Sequence, residues 1–129
     1  MLAESRNIEK KIVQDLQNKF VFLAGPRQVG KTTLAKKIIT EQQGAYYLYD
    51  DAADRRIILE KKFTHELLVC LDEFHKFPRW KNHIKSVYDK FHETLHLILT
   101  GSARLDVYQK AGDSLLGRYY LHHLHPLTV

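Results

Sequence analysis

Short apolar runs alternate with amphipathic segments along most of this 129-residue chain. Largely apolar, strand-like runs occupy residues 20–24, 45–49, 67–71, 95–99 and 119–124. Helical spacing of apolar side chains marks residues 5–18, 31–43 and 80–91, and shorter helices are predicted at 52–62 and 103–111. Strands that alternate with helices predict an α/β fold, a three-layer sandwich with a mainly parallel five-stranded sheet and right-handed crossovers.

The composition limits the cellular compartment and the kinds of partner that are expected for the chain. A single cysteine, Cys70, rules out a disulfide within the chain and favours a reducing, cytoplasmic location, and the residue itself is expected in the core. No signal peptide is visible, and the apolar runs are far shorter than the roughly 20 residues of a membrane span. The net charge of +5 comes from scattered Lys and Arg. This charge is compatible with a nucleic-acid partner, but the sequence contains no recognised nucleic-acid-binding motif.

Residues 25–32 read Gly-Pro-Arg-Gln-Val-Gly-Lys-Thr and fit the phosphate-loop pattern G-x-x-x-x-G-K-[ST], the Walker A motif. The loop leaves a buried-type strand and enters a helix, so its backbone N–H groups and the helix dipole favour a polyphosphate. Lys31 is expected on the β- and γ-phosphates and the Thr32 hydroxyl on Mg²⁺. Arg27 suits either phosphate or solvent. The predicted ATP-binding residues are Gly25, Pro26, Arg27, Gln28, Val29, Gly30, Lys31, Thr32 and Thr33.

Two adjacent carboxylates, Asp72 and Glu73, close the apolar run at residues 67–71, as in a Walker B motif. Ligands of open α/β sheets lie at the carboxyl ends of the strands, so Asp72 is expected to face the phosphate loop and hold Mg²⁺, mostly through water. Glu73 is expected to orient and deprotonate the water that attacks the γ-phosphate. A kinase needs no such group, so the pair favours hydrolysis over phosphoryl transfer to a metabolite.

Further candidates follow the later strands. The hydroxyl of Thr100 or Ser102, after the run at 95–99, would reach the γ-phosphate or the attacking water, although a plain Gly-Ser turn has nearly equal weight. Arg118 would supply positive charge to a γ-phosphate, in its own chain or in a neighbouring subunit of a homo-oligomer, or would pair with a surface carboxylate.

The histidines near the end of the sequence do not form a zinc-binding pattern. Strand alternation places His123 and His125 on one face and His122 on the other, which scatters the three rings.

Four stretches carry a closer resemblance: GPRQVGKTTL (25–34), LLVCLDEFHKFPRWKNHIK (67–85), LILTGSAR (97–104) and SLLGRYYLHHLHPL (114–127). Together they resemble prokaryotic AAA+-type ATPases whose full-length members carry a C-terminal domain of restriction-endonuclease-like fold. The Pro-Arg-Gln inside the loop, the Asp-Glu-x-x-x-x-Pro-x-Trp run and Leu-x-Gly-Arg-Tyr are the specific parts. The resemblance covers essentially the whole chain and implies the AAA+/ASCE type of P-loop fold.

The resemblance implies roles for matching positions. It assigns Lys31 and Thr32 to nucleotide and Mg²⁺, Asp72 and Glu73 to metal and water activation, and Ser102 to a sensor role; an arginine-finger role is a suggestion for Arg118. The sequence ends where the family's core strand ends. We therefore expect one ATPase core domain over residues 1–129, without the lid and nuclease-like domain.

The leading functional hypothesis is an enzyme, an ATPase that binds ATP and Mg²⁺. The alternative is a nucleotide-binding regulatory module or truncated remnant without significant turnover, since AAA+ relatives often complete the site with a neighbouring subunit and the missing segment. A small-molecule kinase is less favoured because no lid rich in arginine is evident. A GTPase is disfavoured because no Asn-Lys-x-Asp motif follows the strands.

Overall fold

A parallel sheet of five strands lies at the centre of the fold. The computed structural model describes residues 2–26, 30–101 and 117–124. The helices are α1 (Leu2–Leu16), α2 (Lys31–Glu41), α3 (Ala52–Leu59) and α4 (Trp80–Phe91). The strands are β1 (Phe20–Ala24), β2 (Ala45–Leu48), β3 (Leu68–Asp72), β4 (His96–Gly101) and β5 (Tyr119–His123), and a 3₁₀ turn spans Phe74–Lys76.

The strand order is β2-β3-β4-β1-β5, and every neighbouring pair is parallel. Strand β4 therefore separates β1, which leads into the phosphate loop, from β3, which ends in Asp72. Because all five strands run the same way, their carboxyl ends share one edge of the sheet. The predicted α/β class with a mainly parallel sheet is confirmed.

Alternating strand side chains supply two cores, one on each face of the sheet. Phe20 and Phe22 point to the face that packs with Ile58, Trp80 and residues of α4. Their neighbours on β1 point the other way, toward α1 and α2. The buried members of this second core are Ile12, Leu16, Val21, Leu23, Ala35, Ile38, Ile39, Leu68, Cys70 and Ile98. The predicted burial of Cys70 is confirmed, and burial raises the pKa of its thiol.

Most predicted elements agree with the structure to within a few residues. Strand β3 begins at Leu68, one residue later than predicted, although the exposed Leu67 still accepts from the His96 N–H through its carbonyl. The 3₁₀ turn after β3 was not predicted. The predicted helix at 103–111 lies outside the described residues. None of the described helices combines the length and the apolar character needed to cross a membrane.

Candidate active site

Three polar side chains on three different strands converge at the carboxyl edge of the sheet. Tyr46 on β2, Asp72 on β3 and Thr100 on β4 each share strand parity with residues that face α2. The first turn of α2 adds Thr32 to the same place. The order of the strands therefore explains why hydroxyls distant in sequence surround a single carboxylate.

Asp72 is only 2% exposed, and three hydroxyls donate to its carboxylate. Thr32 Oγ1 lies 3.1 Å from Oδ2 and 3.4 Å from Oδ1. The Tyr46 hydroxyl donates to Oδ2, and the Thr100 hydroxyl donates to Oδ1. Burial and the neighbouring Asp72 carboxylate raise the pKa of Tyr46 well above its usual range, so its hydroxyl remains a donor.

The oxygens of Thr32 and Asp72 fit a shared magnesium ion. Both are hard oxygen ligands of the kind that Mg²⁺ prefers. Thr32 Oγ1 and Asp72 Oδ2 are hydrogen-bonded at 3.1 Å, so the two groups lie at one place where they would hold the ion. The residues present therefore suit the ion that the sequence pattern predicts.

Lys31 and Glu73 form an ion pair beside this cluster. Lys31, the first residue of α2, is 3% exposed, and its Nζ lies 3.7 Å from Glu73 Oε1. A continued strand would turn Glu73 to the face opposite Asp72. Instead Glu73 adopts a left-handed conformation with φ of 64°, which ends the strand alternation and lets its carboxylate reach Lys31. Its N–H donates to Thr100 Oγ1 at 3.1 Å.

His75 is a site residue that sequence reasoning missed. Its Nδ1 lies 3.6 Å from Glu73 Oε2, and burial lowers the pKa of the ring. Among the described residues, Nδ1 has no hydrogen-bond partner and almost no accessible surface. A single histidine inside an unpredicted 3₁₀ turn carries no spacing signal, so only the fold brings it to Glu73.

The two ends of the phosphate loop are in place. The Gly25 N–H donates to the Gly101 carbonyl at 3.2 Å, which ties the start of the loop to the tip of β4. Gly30 has φ of 82°, a left-handed conformation that glycine adopts without strain, and its carbonyl accepts from the Leu34 N–H at 2.8 Å. Pro26 and Thr33 are exposed. The predictions for Arg27, Gln28 and Val29 lie outside the described residues.

The structure brings Thr100, one of the two candidates predicted after the apolar run at 95–99, into the site, and the other, Ser102, lies outside the described residues. Arg118 precedes β5 and thus lies at the amino-terminal edge of the sheet, opposite the phosphate loop. Its Nε is 2.8 Å from Asp89 Oδ1, so the predicted surface carboxylate partner is present. This position does not favour a role for Arg118 in the phosphate site of its own chain. A role in a neighbouring subunit stays a prediction.

The described histidines of β5 lie on the edge strand beside β1, where His123 pairs with Ala24. His122 Nε2 is 2.8 Å from Asp15 Oδ2 of α1, whereas His123 is exposed. His125 lies outside the described residues.

The parallel sheet with β4 between β1 and β3, and the loop that leads from β1 into α2, define a P-loop domain of AAA type. A family model described as an AAA domain matches residues 17–129. The chain belongs to this family.

Two bacterial relatives align with the whole chain. They are uncharacterized proteins of Mycobacterium bovis and Mycobacterium tuberculosis, each 27% identical over 133 residues. The chain spans only 30% of the length of either relative. Among solved structures, Bacteroides Pif1 bound to ssDNA matches 99% of this chain and 42% of its own, with a TM-score of 0.57 and 14% identity. This likeness is one of fold.

Proposed function

We propose that this domain binds Mg²⁺-ATP and hydrolyses it to ADP and phosphate. One observation carries the proposal: Lys31, Thr32, Asp72 and Glu73 meet at the carboxyl edge of the sheet, where the glycine-framed loop enters α2. The strand order favours this use, because β4 between the loop strand and the carboxylate strand adds Thr100 to the same edge.

Binding would rest on the loop backbone, the start of α2 and Lys31. A helix that begins with free N–H groups attracts phosphate, and a nearly buried ammonium adds a full positive charge. Thr32 and Asp72 would hold Mg²⁺, which would neutralise charge on the phosphates. Tyr46 and Thr100 would fix the Asp72 carboxylate by their hydroxyl hydrogen bonds.

Glu73 would act as the general base. Its carboxylate would take a proton from a water molecule while the water oxygen bonds to the γ-phosphorus and the bond to the β–γ bridging oxygen breaks, so that ADP leaves. The ammonium of Lys31 lies 3.7 Å from this carboxylate. A polyphosphate at the loop would draw Lys31 away and free the base.

Phosphate release by the purified chain with Mg²⁺-ATP tests the proposal. We expect Glu73→Gln to bind ATP and to lose at least about a hundredfold in kcat, the usual worth of a general base. Lys31→Ala should lose ATP binding. The matched control is Lys37→Ala on the same helix, whose exposed ammonium pairs with Glu9 at 3.1 Å and which should behave as wild type. Equal phosphate release by wild type and Lys31→Ala would rule out hydrolysis by this chain.

The second candidate is a nucleotide-binding module without significant turnover. The position of Arg118 favours it, because the arginine lies at the far edge of the sheet and cannot supply charge to its own site. This alternative predicts thermal stabilisation by ATP with no phosphate release that depends on Glu73. Turnover that disappears in Glu73→Gln would exclude it.

The larger context is also part of the proposal. The specific stretches at 25–34, 67–85 and 114–127 support an ATPase module that belongs with a C-terminal restriction-endonuclease-like domain in a cytoplasmic protein. Both relatives are much longer than this chain, which agrees with further domains. ATP hydrolysis would then drive a change in a nucleic-acid or protein partner. Pif1, which is similar in fold, is bound to ssDNA in its structure.

A further inference from the structure

We propose that His75 is a positioning residue for the Glu73 carboxylate: once bound phosphate has taken Lys31, the Nδ1–H of His75 holds Glu73 by a hydrogen bond. This inference rests on the proposed function, since it concerns the general base of the same site. It starts from two distances that place Glu73 between a lysine and a histidine.

The two oxygens of Glu73 face different partners. Oε1 lies 3.7 Å from Lys31 Nζ, and Oε2 lies 3.6 Å from His75 Nδ1. Lys31 is the residue that a polyphosphate recruits. His75 approaches the other oxygen of the carboxylate from the turn that follows β3, outside the phosphate loop.

His75 Nδ1 is poised for this contact. It is buried and without a hydrogen-bond partner among the described residues, and such orphaned polar atoms are rare in folded proteins. A shift of about half an ångström would bring the 3.6 Å separation into the hydrogen-bond range. A carboxylate only accepts, so Glu73 selects the tautomer that carries hydrogen on Nδ1.

The turn that carries His75 is anchored on both sides. The preceding Phe74 is fully buried, and its ring packs against Phe77 at a centroid distance of 5.6 Å. The following Lys76 pairs with Asp50 at 2.7 Å. The imidazole is therefore held in place while the longer side chains of Lys31 and Glu73 can rearrange.

A matched pair of variants tests the role. His75→Asn keeps an N–H donor near the position of Nδ1, whereas His75→Leu has a similar size and no donor. We expect the leucine variant to lose about tenfold or more in kcat, a part of the effect of the base itself. Its KM for ATP and its ATP affinity by calorimetry should stay within about twofold of wild type, while His75→Asn keeps most of kcat.

Equal loss of kcat in the asparagine and leucine variants, or a rise in KM that accounts for the loss, would overturn the positioning role. Wild-type kcat in His75→Leu would overturn it as well. Thermal melting checks that each variant is folded, and His75→Ala replaces the leucine variant if that one is not. Absence of phosphate release by the wild type would instead refute the proposed hydrolysis, and the role of His75 with it.

Discussion

Asp72 is a buried carboxylate held by neutral hydroxyls. Its described hydrogen-bond donors are Thr32, Tyr46 and Thr100. Neutral donors satisfy the lone pairs of a carboxylate but do not neutralise its negative charge, and burial raises the energetic cost of a charge. The arrangement is therefore one in which a bound divalent cation would lower the electrostatic cost, which connects the stability of the fold to the proposed ligand.

Removing one of these hydroxyls gives a direct test. We expect Tyr46→Phe to lower the free energy of unfolding of the ligand-free chain by about 1–3 kcal/mol, because the buried carboxylate loses a donor. Urea unfolding followed by the fluorescence of Trp80, the single tryptophan, measures it. Tyr120→Phe on β5 is the control, since its ring contact with Lys19 at 4.9 Å survives the change. Equal stability of Tyr46→Phe and wild type would show that the hydroxyl does not support Asp72.

His83 provides a pH-dependent contribution to stability at a distance from the site. Its Nε2 donates to the Ile58 carbonyl at 2.9 Å, and its ring packs edge-on to Phe74. Burial lowers the pKa of His83 below the ordinary 6.5, as it does for His75. The unfolded chain then binds protons more readily than the folded chain below pH 6.5. The neutral His83 ring therefore contributes its full stabilisation above pH 6.5, and this contribution is lost as the pH falls through the lowered pKa of His83 in the folded chain.

We expect the melting temperature to decline less steeply below pH 6.5 in His83→Gln than in wild type. Glutamine keeps a donor for the Ile58 carbonyl and cannot take up a proton. The comparison variant is His92→Gln, because His92 is exposed, with its Nδ1 2.8 Å from the Tyr88 carbonyl and its ring stacked on that of Tyr88 in the adjoining helix. Parallel pH profiles for wild type and His83→Gln would contradict the expectation.

Two adjacent residues, Gln43 and Gly44, end helix α2, and each is suited to its position for a different physical reason. The Gly44 N–H donates to the Ile39 carbonyl at 2.7 Å and the Gln43 N–H to the Thr40 carbonyl at 3.4 Å, the two bonds of a Schellman motif. Gln43, with φ of 58°, occupies the left-handed position that glycine usually fills. Gly44 is required for space, since an added Cβ would lie 2.8 Å from the Leu68 carbonyl oxygen.

Substitutions at these two positions should change stability in opposite directions. Gln43→Gly should raise the free energy of unfolding by about 0.5–1 kcal/mol, because relief of the left-handed strain outweighs the extra conformational entropy that glycine gives the unfolded chain. Gly44→Ala should lower it by about 1–3 kcal/mol through overpacking against β3. Urea unfolding of the two variants decides it, and a destabilising Gln43→Gly would mean that the left-handed turn carries no strain.

The sequence predicts most of this architecture because periodicity and turn residues report directly on burial. The apolar run of β1 and the spacing of α4 gave elements that the structure places at the expected residues. The features that were not predicted depend on contacts between elements that are distant in the sequence. The left-handed conformation of Glu73 and the 3₁₀ turn after it depend on Phe74 entering the core, a contact that local spacing does not encode. Sequence reasoning likewise gave Tyr46 no role, because a tyrosine in an edge strand has no signal until β2 pairs with β3.

At the scale of the whole molecule, Arg118 and the predicted phosphate site lie at opposite edges of the sheet. The predicted phosphate site occupies the carboxyl edge. Arg118 lies at the amino edge, where its carbonyl accepts from the Phe20 N–H at 3.3 Å. A strand rises about 3.3 Å per residue, so the five residues of β5 put roughly 15 Å between this arginine and the loop edge. If Arg118 acts in hydrolysis, it therefore acts in the phosphate site of another subunit.

This geometry makes the trans arrangement testable by mixing variants. We expect Arg118→Ala to bind ATP as wild type does and to lose turnover, by at least about tenfold for an arginine that stabilises the transition state. Mixed with the binding-deficient Lys31→Ala, it should regain activity, because some interfaces then join an intact loop to an intact Arg118. The rate of wild type should also rise with chain concentration. Asp89→Ala removes the partner of Arg118 at 2.8 Å while keeping the guanidinium, and it should retain turnover. A mixture no more active than its separate components would confine Arg118 to its ion pair with α4.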